Sequence, residues 1–127
     1  MKAPFVVIAT DDGSVDLCET PIAPIEPQDM SNCLAFDSEG RVLSLVVETV
    51  TRERKFLWLK WNASYKGVSI KESDLDRKDV AGLQKLLTQY LVRYHRKTEK
   101  ELLNFPLAKL LEEVRTIQRY RKFKALS

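Results

Sequence analysis

The chain has 127 residues, 44% of them hydrophobic and 31% charged, which is enough apolar material for one self-sufficient core and too much for a disordered polypeptide. Its two cysteines, Cys18 and Cys33, are too few for a disulfide scaffold and lack the close pairing of zinc sites; the longest apolar run, Phe5–Ala9, falls far short of the ~20 residues that span a bilayer. A net charge of +3 hides an asymmetry: residues 1–50 carry two Lys and Arg against nine acids, a net −7, and residues 51–127 carry nineteen against nine, a net +10.

The N-terminus lacks the longer apolar region and the small-residue cleavage site of an export signal, so a cytoplasmic location and no membrane partner are expected. Phe5–Thr10 is rich in β-formers, Asp11-Asp12-Gly13-Ser14 carries turn chemistry, and Val15–Thr20 begins with alternation, which predicts a first hairpin. Pro21, Pro24 and Pro27 remove backbone donors at a spacing of three and predict a stiff connecting loop.

Cys33–Asp37 and Arg41–Thr51 read as a second hairpin, with Gly40 available for positive φ at the bend. Along its second strand Leu43, Leu45 and Val47 make one apolar face, which needs a cover. Arg52-Glu53-Arg54 reads as a charged turn, and Lys55–Trp61 is large and hydrophobic on both faces, which assigns it to the interior of the sheet. Val68–Ile70 adds one short strand.

From about Ser73 the period changes to 3.6, with Val80, Leu83, Leu87, Tyr90, Leu91 and Tyr94 on one stripe and Ser73, Asp74, Asp76 and Asp79 crowding the start. Gly82, costly inside a helix, is expected to permit close approach to the sheet. Thr98 and Glu101 have capping-box spacing for a short linking helix, and Leu107, Leu110, Leu111, Val114 and Ile117 predict a last helix from Pro106 to about Tyr120. The expected fold is a single α+β domain over residues 1–127. Its strand-rich part, 1–71, is an antiparallel β-meander of about five strands; the helical part, 73–127, covers one face of it with two amphipathic helices plus the short linking helix. Trp58 or Trp61 should anchor the contact.

No catalytic motif, metal-ligand spacing or cofactor loop is present, so no enzyme, metal or cofactor is expected. His95 sits in a basic helix end and reads as a capping or surface residue. Cys18 and Cys33 read as ordinary thiols. Asp11, Asp12, Asp16 and Glu19 form an acidic cluster whose spacing does not fit a calcium loop. A solvated turn explains it, and a protein-contact surface is its functional reading.

Two functions remain. The first is a non-enzymatic protein-binding module, such as a small intracellular inhibitor, immunity-type protein or regulatory subunit that occludes a protein partner, with a neighbouring gene as the first place to look for that partner. The second is a nucleic-acid-binding module using Arg115, Arg119, Tyr120, Arg121, Lys122 and Lys124 on the last helix and tail. The acidic N-terminal half disfavours the second. An enzyme ranks third and requires Asp11, Asp16, His95 or Cys18 to converge in one pocket.

Overall fold

The computed structural model describes the backbone of residues 1–126; Ser127 and the side chains of Val50, Arg52, Arg54, Ala63 and residues 120–126 lie outside the described residues. Six strands, β1 (Phe5–Ala9), β2 (Val15–Cys18), β3 (Ile22–Ala23), β4 (Cys33–Phe36), β5 (Val42–Phe56) and β6 (Leu59–Glu72), precede three helices, α1 (Val80–His95), α2 (Glu99–Leu102) and α3 (Leu107–Leu126). A 3₁₀ turn over Pro27–Asn32 sits between β3 and β4, with Pro27 in its tolerant first position.

The strands pair in the order β2-β1-β4-β5-β6-β3, antiparallel throughout. Laid flat, the two edge strands of such a sheet would stand about 24 Å apart. Yet Cys18 at the end of β2 and Ile22 at the start of β3 are joined by only Glu19, Thr20 and Pro21, a link that reaches at most about 14 Å. The sheet therefore curls until its edges approach, giving a nearly closed barrel. Proline at positions 21 and 24 confines β3 to two residues at the open edge, where a missing N–H costs least.

The curl creates two cores. Phe5, Val7, Ala35, Leu43, Val68 and Ile70 fill the inside of the barrel, with Cys18, Ala23, Ile25 and Met30 closing it. Val6, Ile8, Val15 and Phe36 face outward and are covered by Leu83, Leu87 and Leu91 of α1, Leu102 of α2, and Leu107, Leu110 and Val114 of α3. Four consecutive buried residues, Phe5 to Ile8, make β1 the strand shared by both cores.

The structure corrects several expectations. The open five-strand meander covered on one face is replaced by the six-stranded, nearly closed barrel, because the three-residue link between the edge strands forbids a flat sheet. Leu43 and Leu45 lie inside the barrel, and the helices cover the opposite face, that of Val6, Ile8 and Phe36. Arg52-Glu53-Arg54 is not a turn but mid-strand in β5, and Lys55–Trp61 is not interior: it is the end of the β5–β6 hairpin. Gly82 makes room for a cap rather than for the sheet, since a Cβ there would lie 2.4 Å from Asp79 Oδ2, whose carboxylate accepts the Gly82 N–H at 3.0 Å through Oδ1. The segment from Ser73 to Asp79 precedes α1 instead of starting it, and α3 runs past Tyr120 to Leu126.

Other local features follow the sequence. Gly40 has φ of 85° at the β4–β5 turn and abuts Val80, while Asp37, 1% exposed, accepts the Glu39 and Arg41 N–H groups at 2.9 Å each. Thr98 caps α2 by accepting the Glu101 N–H at 3.2 Å. Among the described residues no helix is long and apolar enough to cross a membrane.

Candidate docking ribbon and acidic mouth

β5 and β6 pair continuously from Leu43↔Glu72 to Phe56↔Leu59, but only the first part of β5 and the last part of β6 belong to the barrel. β4 pairs β5 at Val42 and Leu43, and β3 pairs β6 at Val68 and Ser69; from Glu48 to Gly67 the hairpin continues as a separate two-stranded ribbon. Counted by halves, the six strands give eight segments, six in the barrel and two in the ribbon. The ribbon rises about 27 Å from Glu48 to Phe56 at the usual advance per strand residue.

Alternation gives the ribbon two unlike faces. Phe56, Leu59, Trp61 and Tyr65 share one with the register positions of Arg52 and Arg54, and Thr49, Thr51, Glu53, Lys55, Lys60, Asn62, Ser64 and Lys66 share the other. At the end Phe56, Leu57, Trp58 and Leu59 are 66%, 68%, 83% and 57% exposed. Soluble surfaces seldom leave so large a contiguous apolar group uncovered. The turn itself is unfavourable to its own residues: Leu57 has φ of 56°, a conformation that Asn or Gly adopts at little cost. Lys55 and Lys60 stand directly opposite one another, a like-charge pair that weakens an isolated ribbon. Local stability therefore does not explain this tip. At the root, Glu48 accepts the Ser69 hydroxyl at 3.0 Å and pairs with Lys71 at 3.1 Å, and these contacts hold its carboxyl below the usual range.

Beside the root lies a cleft of about 520 Å³ lined by Ile22, Pro24, Ile25 and Tyr65, with Glu26 and Asp29 also on its wall. Around the adjacent open end of the barrel, Asp11, Asp12, Asp16 and Asp29 surround a second cleft of about 250 Å³. Both sit at the end from which the ribbon leaves, because β5 starts opposite Phe36 and Ala35 and runs toward the level of Cys33 and Ala9.

Of the acidic residues read from the sequence, Asp11, Asp12 and Asp16 meet at this mouth and Glu19 does not, being paired with Arg115 of α3. The Asp12 carbonyl accepts Tyr94 Oη at 2.7 Å and Arg93 at 2.9 Å, which ties the mouth to the end of α1. Hydrogen bonds from Ser14 hold the Asp12 carboxyl low, whereas partial burial and the nearby Asp12 charge push Asp16 up, although the residue as a whole is exposed. Among the described residues no group of three or more His, Cys, Asp or Glu is arranged to hold a metal ion.

Asp11 and Asp16 share the mouth without Cys18 or His95. Burial pushes the Cys18 thiol up to about 11, away from the thiolate a nucleophile requires, and His95 packs edge-on against Tyr90 at 4.9 Å. Burial also raises Cys33, with Asp29 the first of the charges adding to it. In the basic set on α3, Arg115 is engaged by Glu19, Arg119 is exposed, and the side chains of Tyr120, Arg121, Lys122 and Lys124 lie outside the described residues. The ribbon tip was missed by the sequence reading because Trp58 and Trp61 were assigned to the core. A signal was available: apolar residues on both faces of a short segment between charged flanks also describe an exposed hairpin end. No family model, curated protein or solved structure matches the chain.

Proposed function

We propose that this chain is a non-enzymatic protein-binding module whose docking element is the β5–β6 ribbon. The observation that carries the reading is the apolar tip, Phe56 to Leu59, at the farthest point of an unsupported ribbon and backed by half-exposed Trp61. Tryptophan and other aromatic side chains dominate the energetics of protein interfaces when they fill a partner's pocket. A two-stranded ribbon also offers free strand edges on both sides, so it can add to a partner's sheet by main-chain hydrogen bonds. Inhibitor, immunity-type protein and regulatory subunit all remain occupations for such an element, each acting by covering a partner's surface.

The test compares the full chain with a Trp58→Ser, Trp61→Ser double variant, both recovered from the native host and measured by light scattering of the eluted complexes. The wild type is expected to carry a protein in simple stoichiometry, a second copy of itself included, and the variant to lose it while melting within a few degrees of wild type. Equal retention by both overturns the reading. Salt-sensitive recovery of RNA or DNA in place of protein overturns it in favour of nucleic acid.

A further inference from the structure

The ribbon has a self-complementary counterpart on the same molecule. Its distal part is apolar and basic: residues 49–65 carry four Lys and Arg against the single acid Glu53, a net +3. The cleft at its root has Ile22, Pro24, Ile25 and Tyr65 beside Glu26, Asp29 and Lys66, and the adjoining mouth adds Asp11, Asp12 and Asp16, so the acids prevail there. At about 520 Å³ the cleft has the size of sites that enclose compact organic groups, an indole among them. Tip and cleft cannot meet within one chain, because the ribbon that separates them is about 27 Å long.

The geometry points to a second copy of this chain as the occupant, in a two-fold dimer formed by reciprocal ribbon docking. This rests on the reading of the ribbon as a docking element and names its partner. When two ribbons lie antiparallel, side by side, each tip is carried one ribbon length to the root of the other. Trp58 and Leu57 then enter the partner copy's cleft, and Lys55 and Lys60 approach the acids of its wall and of the adjoining mouth. The unpaired edges of β6, from Leu59 to Gly67, pair with one another along the ribbons by main-chain hydrogen bonds. Both copies present the same patch, so the contact closes on itself and does not propagate into a fibre. Two paired ribbons and two filled clefts cover on the order of 1,000 Å², near the lower bound of specific interfaces.

Three observations favour a second copy over a foreign protein. The chain itself carries both halves of the contact. They have opposite charge, and the acidic half lies within the first 50 residues, where the sequence concentrates its acids. They are separated by the length of the one element that would bridge them. The opposed Lys55 and Lys60, unfavourable within the ribbon, become favourable on reaching Glu26 and Asp29 of another copy.

Sedimentation velocity of the purified full chain over a wide concentration range tests this directly. The expected result is a monomer–dimer equilibrium that weakens with added salt. Lys55→Glu with Lys60→Glu should raise the dimer dissociation constant by about tenfold or more, and Glu26→Lys with Asp29→Lys should do the same. Mixing the two charge-reversed chains should restore the dimer, since both docking contacts in the mixed pair again join opposite charges. All four positions are exposed and lie outside both cores, Asp29 in the 3₁₀ turn, and circular dichroism melting confirms folding of each variant.

A chain that is monomeric at every concentration overturns the inference, as does a dimer indifferent to both reversals or not rescued by mixing. The two proposals fail separately. A monomeric wild type whose Trp58→Ser, Trp61→Ser variant loses a foreign protein keeps the docking ribbon and discards self-association. A monomer that loses nothing on that substitution discards both.

Discussion

β5 and β6 run through two environments, and the difference between their halves separates what holds this protein together from what it presents. In the barrel, Leu43, Val68 and Ile70 meet Phe5, Val7 and Ala35; β5 gains β4 as a second neighbour at Val42 and Leu43, and β6 gains β3 at Val68 and Ser69. In the ribbon the same two strands pair only with each other, and their largest side chains face water. Burial of an apolar side chain contributes about 1.5–3 kcal/mol, so the barrel half is held by tertiary contacts the ribbon lacks. An isolated two-stranded hairpin is marginal in water. Stability therefore resides in the body, and the ribbon is available for an outside contact.

The sharpest way to break this comparison is a pair of truncations. Leu87, fully buried between the sheet and α3, should cost about 3 kcal/mol as Leu87→Ala, while Trp58→Ala should change stability by less than about 0.5 kcal/mol, both read by urea denaturation. A comparable loss at Trp58 would mean that the tip is part of the core. Next in size is Asp37→Ala, expected to cost about 2 kcal/mol, since it leaves the Glu39 and Arg41 N–H groups without the acceptor that shapes the turn into β5. A neutral result would show that water replaces that carboxylate.

The smallest effect concerns the mouth. Asp16 is raised in the folded state by partial burial and by Asp12, so its ionisation opposes folding. The sign follows: below the carboxylate's ordinary range the group is protonated in both states and carries no penalty, and stability falls as pH rises through the raised folded value. Asp16→Asn should therefore stabilise the chain at neutral pH, by about 0.5 kcal/mol or less given the residue's exposure, and the gain should vanish in acid. Thermal melts at pH 7 and pH 3 check this. A gain that grows in acid would reverse the assignment.

Much of the local structure was legible. Turn chemistry at Asp11–Ser14, positive φ at Gly40, the cap at Thr98 and the leucine stripes of α1 and α3 appear where the residues call for them, because each depends on neighbours within a few positions. Leu43 and Leu45 also face a core, though not the one under the helices. The ribbon tip was not legible. Phe56-Leu57-Trp58-Leu59 has the composition of a buried strand, and hydrophobic character states a preference for leaving water without saying which surface meets it.

Residue periodicity alone places a strand-rich part over residues 1–71 ahead of a helical part, and the charge count separates acid from base along the chain. The curl of the sheet follows from strand order, because closure depends on the short link from Cys18 to Ile22 joining strands that are neighbours in sequence but lie at opposite ends of the sheet. The tertiary structure also decided which apolar residues stay outside. Once β4 and β3 stop pairing at Leu43 and Val68, no third strand among the described residues flanks the distal hairpin, and Trp58 stays 83% and Trp61 49% exposed.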